Sequence, residues 1–398
     1  MNKFVPTQIK QIGRVVTGKT PSTAVNANFG GDYMFVTPLE LHTDFVINES
    51  QKTLSRQGLE SIRANSISGL SVAVGCIGWD MGNVALIEKE CATNQQINSV
   101  TDFEPEYNPY YLYYWLLTKK EYLFQIATVT RTPILNKTTF EDILVPVPDK
   151  PLQDAIAKVL LPISRKIALN NAINAELEKI ARLIYDYWFT QFDFPEADGK
   201  PYRSSGGAME YNAQLKREIP RGWKVKPLGE QLDISRGSII TEKETEPGKV
   251  KVVAAGVTYS YFHSTANRPK NTITVSSSGA NAGYLNFWQD EIYASDCITV
   301  RGKNDIDTLL AYQFLKSMQA VLLKKSTGSA QPHVYPNDIE VLQMCVIPKP
   351  LKDKISGFML TINEQIEKNN RQTDELTALR DFLLPLLMNG QVTVKTEA

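Results

Sequence analysis

Apolar side chains recur every three or four residues along two long stretches of the chain. In the first stretch the positions of this stripe are Ile156, Leu160, Ile163, Ile167, Asn170, Asn174, Leu177, Ala181, Ile184 and Trp188. In the second stretch they are Ile355, Met359, Ile362, Ile366, Asn369, Thr373, Leu376, Arg380, Leu383 and Leu387. Steps that alternate between four and three residues are typical of a coiled-coil seam, so each stretch predicts a long helix that packs on a helical partner.

Both predicted seams are polar near the middle. Asn170 and Asn369 occupy matching places, and burying one against the other would weaken the seam but fix its register. Pro162 interrupts the first pattern, because proline lacks the amide hydrogen that an internal helical residue donates. We expect it to kink the first helix near residues 158–162 or to move the regular part of that helix downstream.

The two stretches belong to a larger internal repeat. The sequence that begins at Pro151 reappears at Pro350, and the offset of 199 residues then holds without a gap. Between residues 151–188 and 350–387, 11 of 38 aligned pairs are identical, whereas ordinary composition gives on the order of two by chance. The chain is therefore a duplicated unit.

A region of short strands precedes each long helix. The first copy has β-rich segments at Tyr33–Val36, Ser71–Ile77 and Val84–Ile87 and a helix at Pro109–Lys119. The second copy has them at Lys251–Ala254, Thr272–Ser276 and Gly283–Trp288, with a helix at Asp307–Lys324. An offset near 201 residues relates these regions, with the aligned pairs Val72/Ile273, Val74/Val275, Gly78/Gly279, Gly82/Gly283 and Ile97/Ile298.

This order predicts an α+β fold with two globular domains in tandem, each followed by a long helix. The predicted segments are residues 1–150 (first domain), 151–189 (first helical region), 190–222 (a turn-rich crossover), 223–349 (second domain) and 350–390 (second helical region). Matching seams pack most simply when the two helices are antiparallel, which would give the molecule pseudo-two-fold symmetry. Roughly 35 helical residues would hold the domains about 50 Å apart.

Composition supports a folded chain without identifying a ligand. The 398 residues include 43 Lys and Arg against 43 Asp and Glu, so any nucleic-acid contact must come from local patches. Four scattered cysteines without a CxxC pair indicate free thiols in a reducing cytoplasm rather than disulfides or a zinc site. Neither a signal peptide nor an apolar run of about 18 residues is apparent, so we expect a cytoplasmic protein without a membrane partner.

Two short motifs resemble catalytic sequences but fit structural roles better. Residues 13–20 match the Walker A pattern, yet Pro21 and a polar run follow where that motif needs a helix, which favours a strand and turn over a nucleotide site. Residues 108–111 (NPYY) resemble the box with which adenine methyltransferases hold their target, but a helix cap followed by proline is favoured. The three histidines are isolated and no metal-ligand spacing appears, so we predict neither catalysis nor a metal site.

Polar and basic loops occupy corresponding places in the two copies. Residues 128–137 follow the short helix of the first copy, and residues 324–333 take that place in the second. Arg, Lys, Gln, Asn and Ser are the side chains that contact phosphates and read base edges, so the paired placement favours DNA. The candidate DNA-binding residues are Lys19, Thr20, Arg131, Thr132, Asn136, Lys137, Arg236, Ser277, Asn281, Lys324, Lys325, Ser329, Gln331 and His333.

Several short stretches carry a family signature. They are residues 183–195 (LIYDYWFTQFDFP), 199–202 (GKPY), 219–229 (IPRGWKVKPLG), 383–390 (LLPLLMNG) and 16–21 (VTGKTP). Together they resemble the specificity (S) subunits of type I restriction–modification enzymes, over essentially the whole chain. The last of these stretches resembles the opening of a target-recognition domain, which accounts for the Walker-like run.

The resemblance implies two target-recognition domains that each read one half of a split DNA sequence, held apart by helices that act as a ruler. It implies a non-catalytic subunit of a host-defence system that binds no cofactor itself. Two methyltransferase subunits would bring S-adenosylmethionine, and motor–nuclease subunits would bring ATP and Mg²⁺. The outer faces of the helices and residues 185–194 would dock the methyltransferase subunits.

A function of a different class also fits the pattern. A stand-alone coiled-coil scaffold whose two heads bind protein or glycan would have the same helices, but it would not need basic loops on corresponding faces of both heads. Steep salt dependence of binding to random duplex DNA would distinguish the two, because each phosphate contact releases counterions.

Overall fold

The chain forms two compact units. The structure is a computed structural model that describes residues 4–42, 45–129, 131–326, 333–392 and 394. Unit 1 comprises residues 1–171 and 371–398, and unit 2 comprises residues 172–370. Two long helices contribute residues to both units, and each unit is otherwise built from short strands and short helices.

Unit 1 is a mixed α+β domain with a portion of both long helices. Its strands are β1 (Val5–Gln8), β2 (Arg14–Thr17), β3 (Phe29–Val36), β4 (Val46–Ile47), β5 (Lys52–Leu54), β6 (Ser66–Ile67), β7 (Ser71–Gly75), β8 (Val84–Ile87), β9 (Cys91–Thr93), β10 (Ile97–Thr101), β11 (Thr128–Val129), β12 (Pro133–Ile134) and β13 (Leu144–Val147). Its helices are α1 (Ile9–Ile12), α2 (Arg56–Glu60), α3 (Pro109–Leu117), α4 (Lys120–Gln125), α5 (Lys137–Glu141) and the first part of α6 (Lys150–Tyr185).

Two sheets organise unit 1. One has the strand order β2-β10-β7-β8-β4 and the other has the order β5-β3-β9-β6. The pairs β1–β13 and β11–β12 form two smaller sheets. Strands β7, β8 and β10 are buried along their whole length, so both faces are covered and their sequences do not alternate between apolar and polar residues. The predicted helix at 109–119 is confirmed as α3, which ends at Leu117, and a second short helix, α4, begins at Lys120.

Unit 2 repeats this plan. Its strands are β14 (Met209–Asn212), β15 (Arg217–Pro220), β16 (Val225–Pro227), β17 (Asp233–Arg236), β18 (Val250–Val253), β19 (Tyr261–His263), β20 (Thr272–Ser276), β21 (Leu285–Trp288), β22 (Ile292–Ala294), β23 (Cys297–Arg301) and β24 (Gln343–Cys345). Its helices are the rest of α6, α7 (Asp305–Ser326), α8 (Pro336–Glu340) and the first part of α9 (Lys349–Met388). A π-helical turn, Asp186–Thr190, continues α6.

The sheet order of unit 2 matches that of unit 1, except that the edge strands β4 and β6 of unit 1 have no counterpart in the sheets of unit 2. The order β17-β23-β20-β21 corresponds to β2-β10-β7-β8, and the parallel pair β18–β22 corresponds to β3–β9. The internal repeat that the sequence predicts is therefore confirmed as a repeat of topology. The aligned pair Ile97/Ile298 is wrong by one residue. Val74 pairs with Asn98 and its counterpart Val275 pairs with Ile298, so Ile298 corresponds to Asn98.

The predicted coiled-coil seam is confirmed in both units, because every seam position is buried or half-buried. In unit 1, Ile156 and Leu160 of α6 share a core with Leu384 and Leu387 of α9. Nearer the middle of the helices, the Asn170 amide donates to Gln372 Oε1 at 3.0 Å. The start of α6 thus packs on the end of α9, and later residues of α6 contact earlier residues of α9. The two helices of unit 1 are therefore antiparallel.

The same antiparallel packing occurs in unit 2, where Ala181 packs with Ile355 and Met359. There the seam is crossed by polar groups: the Asn369 amide donates to Asn174 Oδ1 at 2.8 Å, and the Asn174 amide donates to Asn370 Oδ1 at 2.8 Å. Buried amides with their partners in place fix register, because any slip would leave them unsatisfied. The specific pairing of Asn170 with Asn369 stays a prediction.

Helix α6 runs without a break through Pro162, and it begins at Lys150. The expectation that its regular part would start downstream of this proline is therefore wrong. Pro162 is exposed, and the alternative expectation of a kink near residues 158–162 stays a prediction.

The aromatic run after α6 belongs to the core of unit 2. Phe189, Phe192 and Phe194 are buried, and the Phe194 ring stacks on Tyr202 and Trp223 with centroids 4.7 and 5.5 Å apart. Five of the ten residues 185–194 are buried, whereas Tyr187 and Gln191 are exposed. The role of this run in docking methyltransferase subunits stays a prediction. The crossover also contains the hairpin β14–β15. The sequence did not predict it, because its two strands are short and lie between turns.

Candidate nucleic-acid interface

Segments that are distant in sequence meet at one end of the five-stranded sheet of unit 1. The end of β2 is held by the Gly18 amide, which donates to the Ile97 carbonyl at 3.0 Å, and by the Lys19 amide, which donates to the Thr93 carbonyl at 2.9 Å. The Thr20 hydroxyl donates to Gln95 Oε1 at 2.8 Å. Lys19 and Gln95 are exposed and Thr20 is half-buried, so basic and amide groups lie side by side at this edge.

The hairpin β11–β12 is attached to the loop that follows β7. The Gly78 amide donates to the Pro133 carbonyl at 3.0 Å, and the Leu135 amide donates to the Cys76 carbonyl at 2.8 Å. Arg131 is exposed and Thr132 half-buried in the turn of this hairpin. The two predicted groups of unit 1, which lie over 100 residues apart in the chain, are thus attached to the same edge of one sheet. We call the exposed surface formed by Lys19, Thr20, Trp79, Gln95, Arg131 and Ile134 the loop face of unit 1.

Asn136 and Lys137 have structural partners. The Asn136 carboxamide oxygen accepts from the Thr139 amide at 2.9 Å and so caps α5. Lys137 Nζ lies 3.4 Å from Glu141 Oε1, one turn along the same short helix. Both side chains are exposed, but the cap holds the orientation of Asn136.

Unit 2 has the same arrangement of backbone contacts. The Val334 amide donates to the Ser277 carbonyl at 2.9 Å, as Leu135 does to Cys76 in unit 1. An isolated bridge joins Ser278 to His333, as another joins Ile77 to Ile134. The chain after β17 is held by the Ser238 amide, which donates to the Ala294 carbonyl at 2.9 Å. Both units therefore present corresponding loops at the same edge of corresponding sheets.

The side chains on this edge of unit 2 form a stack. The exposed Arg236 guanidinium lies 5.4 Å from the centroid of the Tyr335 ring, and the exposed His333 ring lies nearly parallel to Tyr335 with centroids 6.1 Å apart. A guanidinium held over an aromatic face keeps its donors pointing outward in a fixed plane. We call the surface formed by Arg236, Asn281, His333 and Tyr335 the loop face of unit 2.

Ser277 does not belong to the exposed surface. It is buried, and its hydroxyl donates to Asp296 Oδ1 at 2.6 Å, while the Ser278 hydroxyl donates to Asp296 Oδ2 at 2.8 Å. Asn281 is half-buried at the end of the short turn Gly279–Asn281. Ser277 therefore fixes the Asp296 carboxylate and the turn rather than facing a ligand.

The remaining candidates cannot be assigned surroundings. Lys324 and Lys325 lie in the last turn of α7, and their side chains are outside the described residues, as are Ser329 and Gln331 altogether.

Sequence reasoning missed four side chains on or beside these faces: Trp79, Gln95, Asp296 and Tyr335. Trp79 had a signal, because a large aromatic in a turn bounded by Gly78 and Gly82 has no core to enter. The others became visible only when the backbone contacts placed them beside Thr20, Ser277 and Arg236.

The motifs set aside as catalytic have structural roles. Residues 14–17 form β2, and no helix follows Lys19, so the phosphate-binding geometry of a Walker loop is not formed. Asn108 caps α3 by accepting from the Tyr110 and Tyr111 amides, with Pro109 at the first helical position. Both motif interpretations made from the sequence are confirmed.

No other chemistry is assembled within the part of the chain that the structure describes. There, no group of three or more His, Cys, Asp or Glu side chains could hold a metal ion. All four cysteines are free and buried, and burial raises the pKa of the Cys76 thiol to about 12, which keeps it unreactive. No helix in this described part is both long and apolar enough to cross a bilayer.

Comparisons with known proteins place these features in a family. Residues 1–179 and 220–378 match the type I restriction modification DNA specificity domain. The chain is 25% identical to the type I restriction enzyme MjaIX specificity subunit of Methanocaldococcus jannaschii, over 98% of this chain and 93% of that protein. It is 30% identical to the HindI specificity subunit of Haemophilus influenzae over 178 residues, 44% of this chain and 39% of that one.

A solved structure has the same fold. The S subunit of the type I restriction–modification system of M. genitalium superposes with a TM-score of 0.60 at 17% sequence identity, covering 97% of this chain and 96% of that one. The resemblance noted in the sequence is thus confirmed, and the stand-alone scaffold is not favoured. The chain belongs to the type I restriction–modification DNA specificity family, whose members are the non-catalytic, DNA-recognising subunits of these enzymes.

Proposed function

We propose that the loop face of each unit reads one half of a split DNA target. The observation that carries the proposal is the recurrence of the same loop contacts in both units, Leu135–Cys76 in one and Val334–Ser277 in the other. Two domains that recognise different half-sites need the same backbone geometry to approach DNA and different side chains to recognise different bases. The proposed domains are residues 1–150 and 223–349, with helical regions 151–189 and 350–390 and a crossover at 190–222.

Individual residues receive different roles under this proposal. Long basic side chains contact phosphates and set the register on the duplex. The proposed phosphate contacts are Lys19, Arg131, Lys137, Lys324 and Lys325. Shorter or planar polar side chains read base edges in the major groove. The proposed base contacts are Thr20, Thr132, Arg236, Asn281, Ser329, Gln331 and His333. Asn136 and Ser277 position their loops, because their side chains are engaged by α5 and Asp296.

The helical regions act as a spacer and as the platform for other subunits. We propose that two methyltransferase subunits bind the outer faces of α6 and α9, where exposed apolar side chains such as Leu183 and Phe358 provide contact area. These subunits bring S-adenosylmethionine, and motor–nuclease subunits bring ATP and Mg²⁺. The complex works in the cytoplasm, where its DNA substrate is.

A genome-wide map of N6-methyladenine tests the proposal. The map is compared between the source strain, a strain without this gene and the deletion strain complemented with the wild-type gene. Loss of one split motif on deletion, with return on complementation, is the expected result. Loss of an unsplit motif would contradict the assignment of one half-site to each unit. If the map is unchanged, the chain is purified together with the proteins bound to it. Absence of methyltransferase subunits from the purified complex would contradict the proposed assembly.

Salt dependence of binding tests the phosphate contacts. Removing the side chain that neutralises one phosphate should reduce the slope of log K against log salt by about 0.9. We expect that reduction in the purified complex for Lys19→Ala and for Arg131→Ala. Lys200→Ala is the matched control, because Lys200 is exposed but lies on the crossover beside Asp198. Unchanged slopes for both test variants would exclude these residues as phosphate contacts.

A further inference from the structure

The loop face of unit 1 contains an apolar patch. Trp79, in the loop between β7 and β8, is 70% exposed, and Ile134 is 40% exposed. The isolated bridge between Ile77 and Ile134 brings their segments together. On its other side the Trp79 ring packs on Phe124, with centroids 6.2 Å apart and planes at 41°. A large aromatic is therefore supported from behind and exposed in front.

The loop that carries Trp79 is fixed by polar contacts. Lys120 Nζ lies 2.6 Å from Asp80 Oδ1 and donates to Asn83 Oδ1 at 2.8 Å, and the Asn83 amide donates to the Asp80 carbonyl at 2.8 Å. The hydrogen bond from Lys120 holds the pKa of Asp80 below its usual range, so the carboxylate stays ionised at neutral pH. Because the loop is ordered before binding, Trp79 loses little conformational freedom when it contacts a ligand.

The patch is specific to unit 1. By the repeat offsets, Trp79 corresponds to Ala280 and Ile134 corresponds to His333. The corresponding place in unit 2 therefore has a methyl group and an imidazole ring instead of an indole ring and a branched aliphatic side chain. Two readers that share backbone geometry but differ at these positions would contact chemically different base edges.

We propose that Trp79 and Ile134 pack against the C5-methyl group of a thymine in the half-site that unit 1 reads. This inference rests on the proposed function. In unmodified DNA the thymine methyl is the apolar group that base edges present in the major groove, where direct readout occurs. Trp79 is thus a specificity-determining residue, and it acts through a base rather than a phosphate.

The surroundings of the patch favour DNA over a protein partner. Lys19, Gln95 and Arg131 are exposed on the same loop face and suit a phosphate backbone. The exposed Asp80 carboxylate next to Trp79 is paired with Lys120. Two side chains also provide far less area than the roughly 800 Å² that each partner contributes to a standard protein–protein interface.

Substitution of uracil for thymine tests the inference in the intact complex. Once the split motif is known, unmethylated duplexes are prepared in which each thymine of either half-site is replaced in turn by uracil, which lacks the methyl group. One replacement, in one half-site, should weaken wild-type binding by about fourfold, the effect of one buried methyl group. Trp79→Ala should bind more weakly and should no longer distinguish thymine from uracil there, whereas Trp79→Phe should keep part of the difference.

Tyr211→Ala is the control, because Tyr211 is 69% exposed but lies on the hairpin β14–β15 of unit 2. An undiminished thymine preference in Trp79→Ala, or a unit 1 half-site without a methyl-sensitive thymine, overturns the inference. A complex with Trp79→Ala that fails to bind its methyltransferase subunits also overturns it and identifies a protein contact. Failure of the proposed function itself is distinguishable, because the wild-type complex would then show no split motif.

Discussion

Gly18 lies where the chain leaving β2 crosses β9, and this crossing is too close for any side chain. The Gly18 amide donates a hydrogen bond to the Ile97 carbonyl, and the Lys19 amide donates one to the Thr93 carbonyl. These two hydrogen bonds hold the backbone in place. A Cβ atom on Gly18 would overlap the carbonyl oxygens of Asn94 and Thr93. The conformation of Gly18 is not left-handed, so the requirement for glycine here is steric rather than conformational.

The cost of Gly18→Ala follows from which atoms are overlapped. Two of them are main-chain oxygens, of Thr93 at the end of the buried strand β9 and of Asn94 just after it, and these cannot rotate away as a flexible side chain would. The third is the side-chain oxygen Thr93 Oγ1. Overpacking of this kind destabilises a protein by about 1–3 kcal/mol. In a unit of about 200 residues each kcal/mol lowers the melting temperature by about 2–4 °C. The displaced loop carries Lys19 and Thr20, so methylation at the half-site of unit 1 should also fall.

Calorimetry of the purified complex measures the first effect and methylation mapping measures the second. Gly357→Ala is the matched control, because a Cβ there meets no atom within 4 Å and alanine in a helix should raise stability by about 0.5–1 kcal/mol. Gly237→Ala is the corresponding change in unit 2, where the Cβ would overlap the carbonyls of Ser295 and Ala294. An unchanged melting temperature and motif for Gly18→Ala would refute the steric argument.

Three further predictions concern the helices and the crossover. Insertion of one heptad after residues 171 and 370 should lengthen the gap in the methylated motif and leave both half-sites unchanged, since each helical residue adds about 1.5 Å. Asn174→Leu should destabilise unit 2 by about 1–3 kcal/mol in thermal denaturation, because it leaves the amide of Asn369 without the acceptor it now has. Asp193→Ala should lower stability at pH 7, and this loss should shrink as pH falls below about 4.

The sign of the pH effect comes from Ser204. The Ser204 hydroxyl and amide donate to the Asp193 carboxylate at 2.6 and 2.7 Å and lower its pKa in the folded protein. The ionised Asp193 therefore stabilises the fold at a pH above its unfolded-state pKa, and this stabilisation disappears as the pH falls through its folded-state pKa. Ser356→Ala is the control for thermal shifts, because Ser356 is a half-buried helical serine whose hydroxyl donates only to the Asp353 carbonyl among the hydrogen bonds described, one turn earlier in the same helix. A motif with changed half-sites after heptad insertion, a neutral Asn174→Leu, or a pH-independent loss for Asp193→Ala would each contradict its prediction.

The sequence alone determined the repeat and the helices, because both are encoded locally. The four-and-three spacing of Ile156, Leu160 and their counterparts produces one apolar stripe on any α-helix, so the seam followed without tertiary information. The cap at Asn108 and the strand at residues 14–17 are likewise set by neighbours within a few residues. Loops with basic and amide side chains could be nominated on the same local grounds.

Only the tertiary structure decided what those side chains face. Ser277 and Arg236 are both polar loop residues, yet one is buried against Asp296 and the other lies exposed over Tyr335. Trp79 and Phe192 are both large aromatics, yet one is exposed and the other buried. These differences arise because the loop after β7 meets the segment before α5, and the loop after β20 meets the segment before α8, each across more than fifty residues of sequence. Local patterns carry no information about such contacts. The sequence therefore determined the elements, and long-range packing decided which side chains are buried and which are exposed.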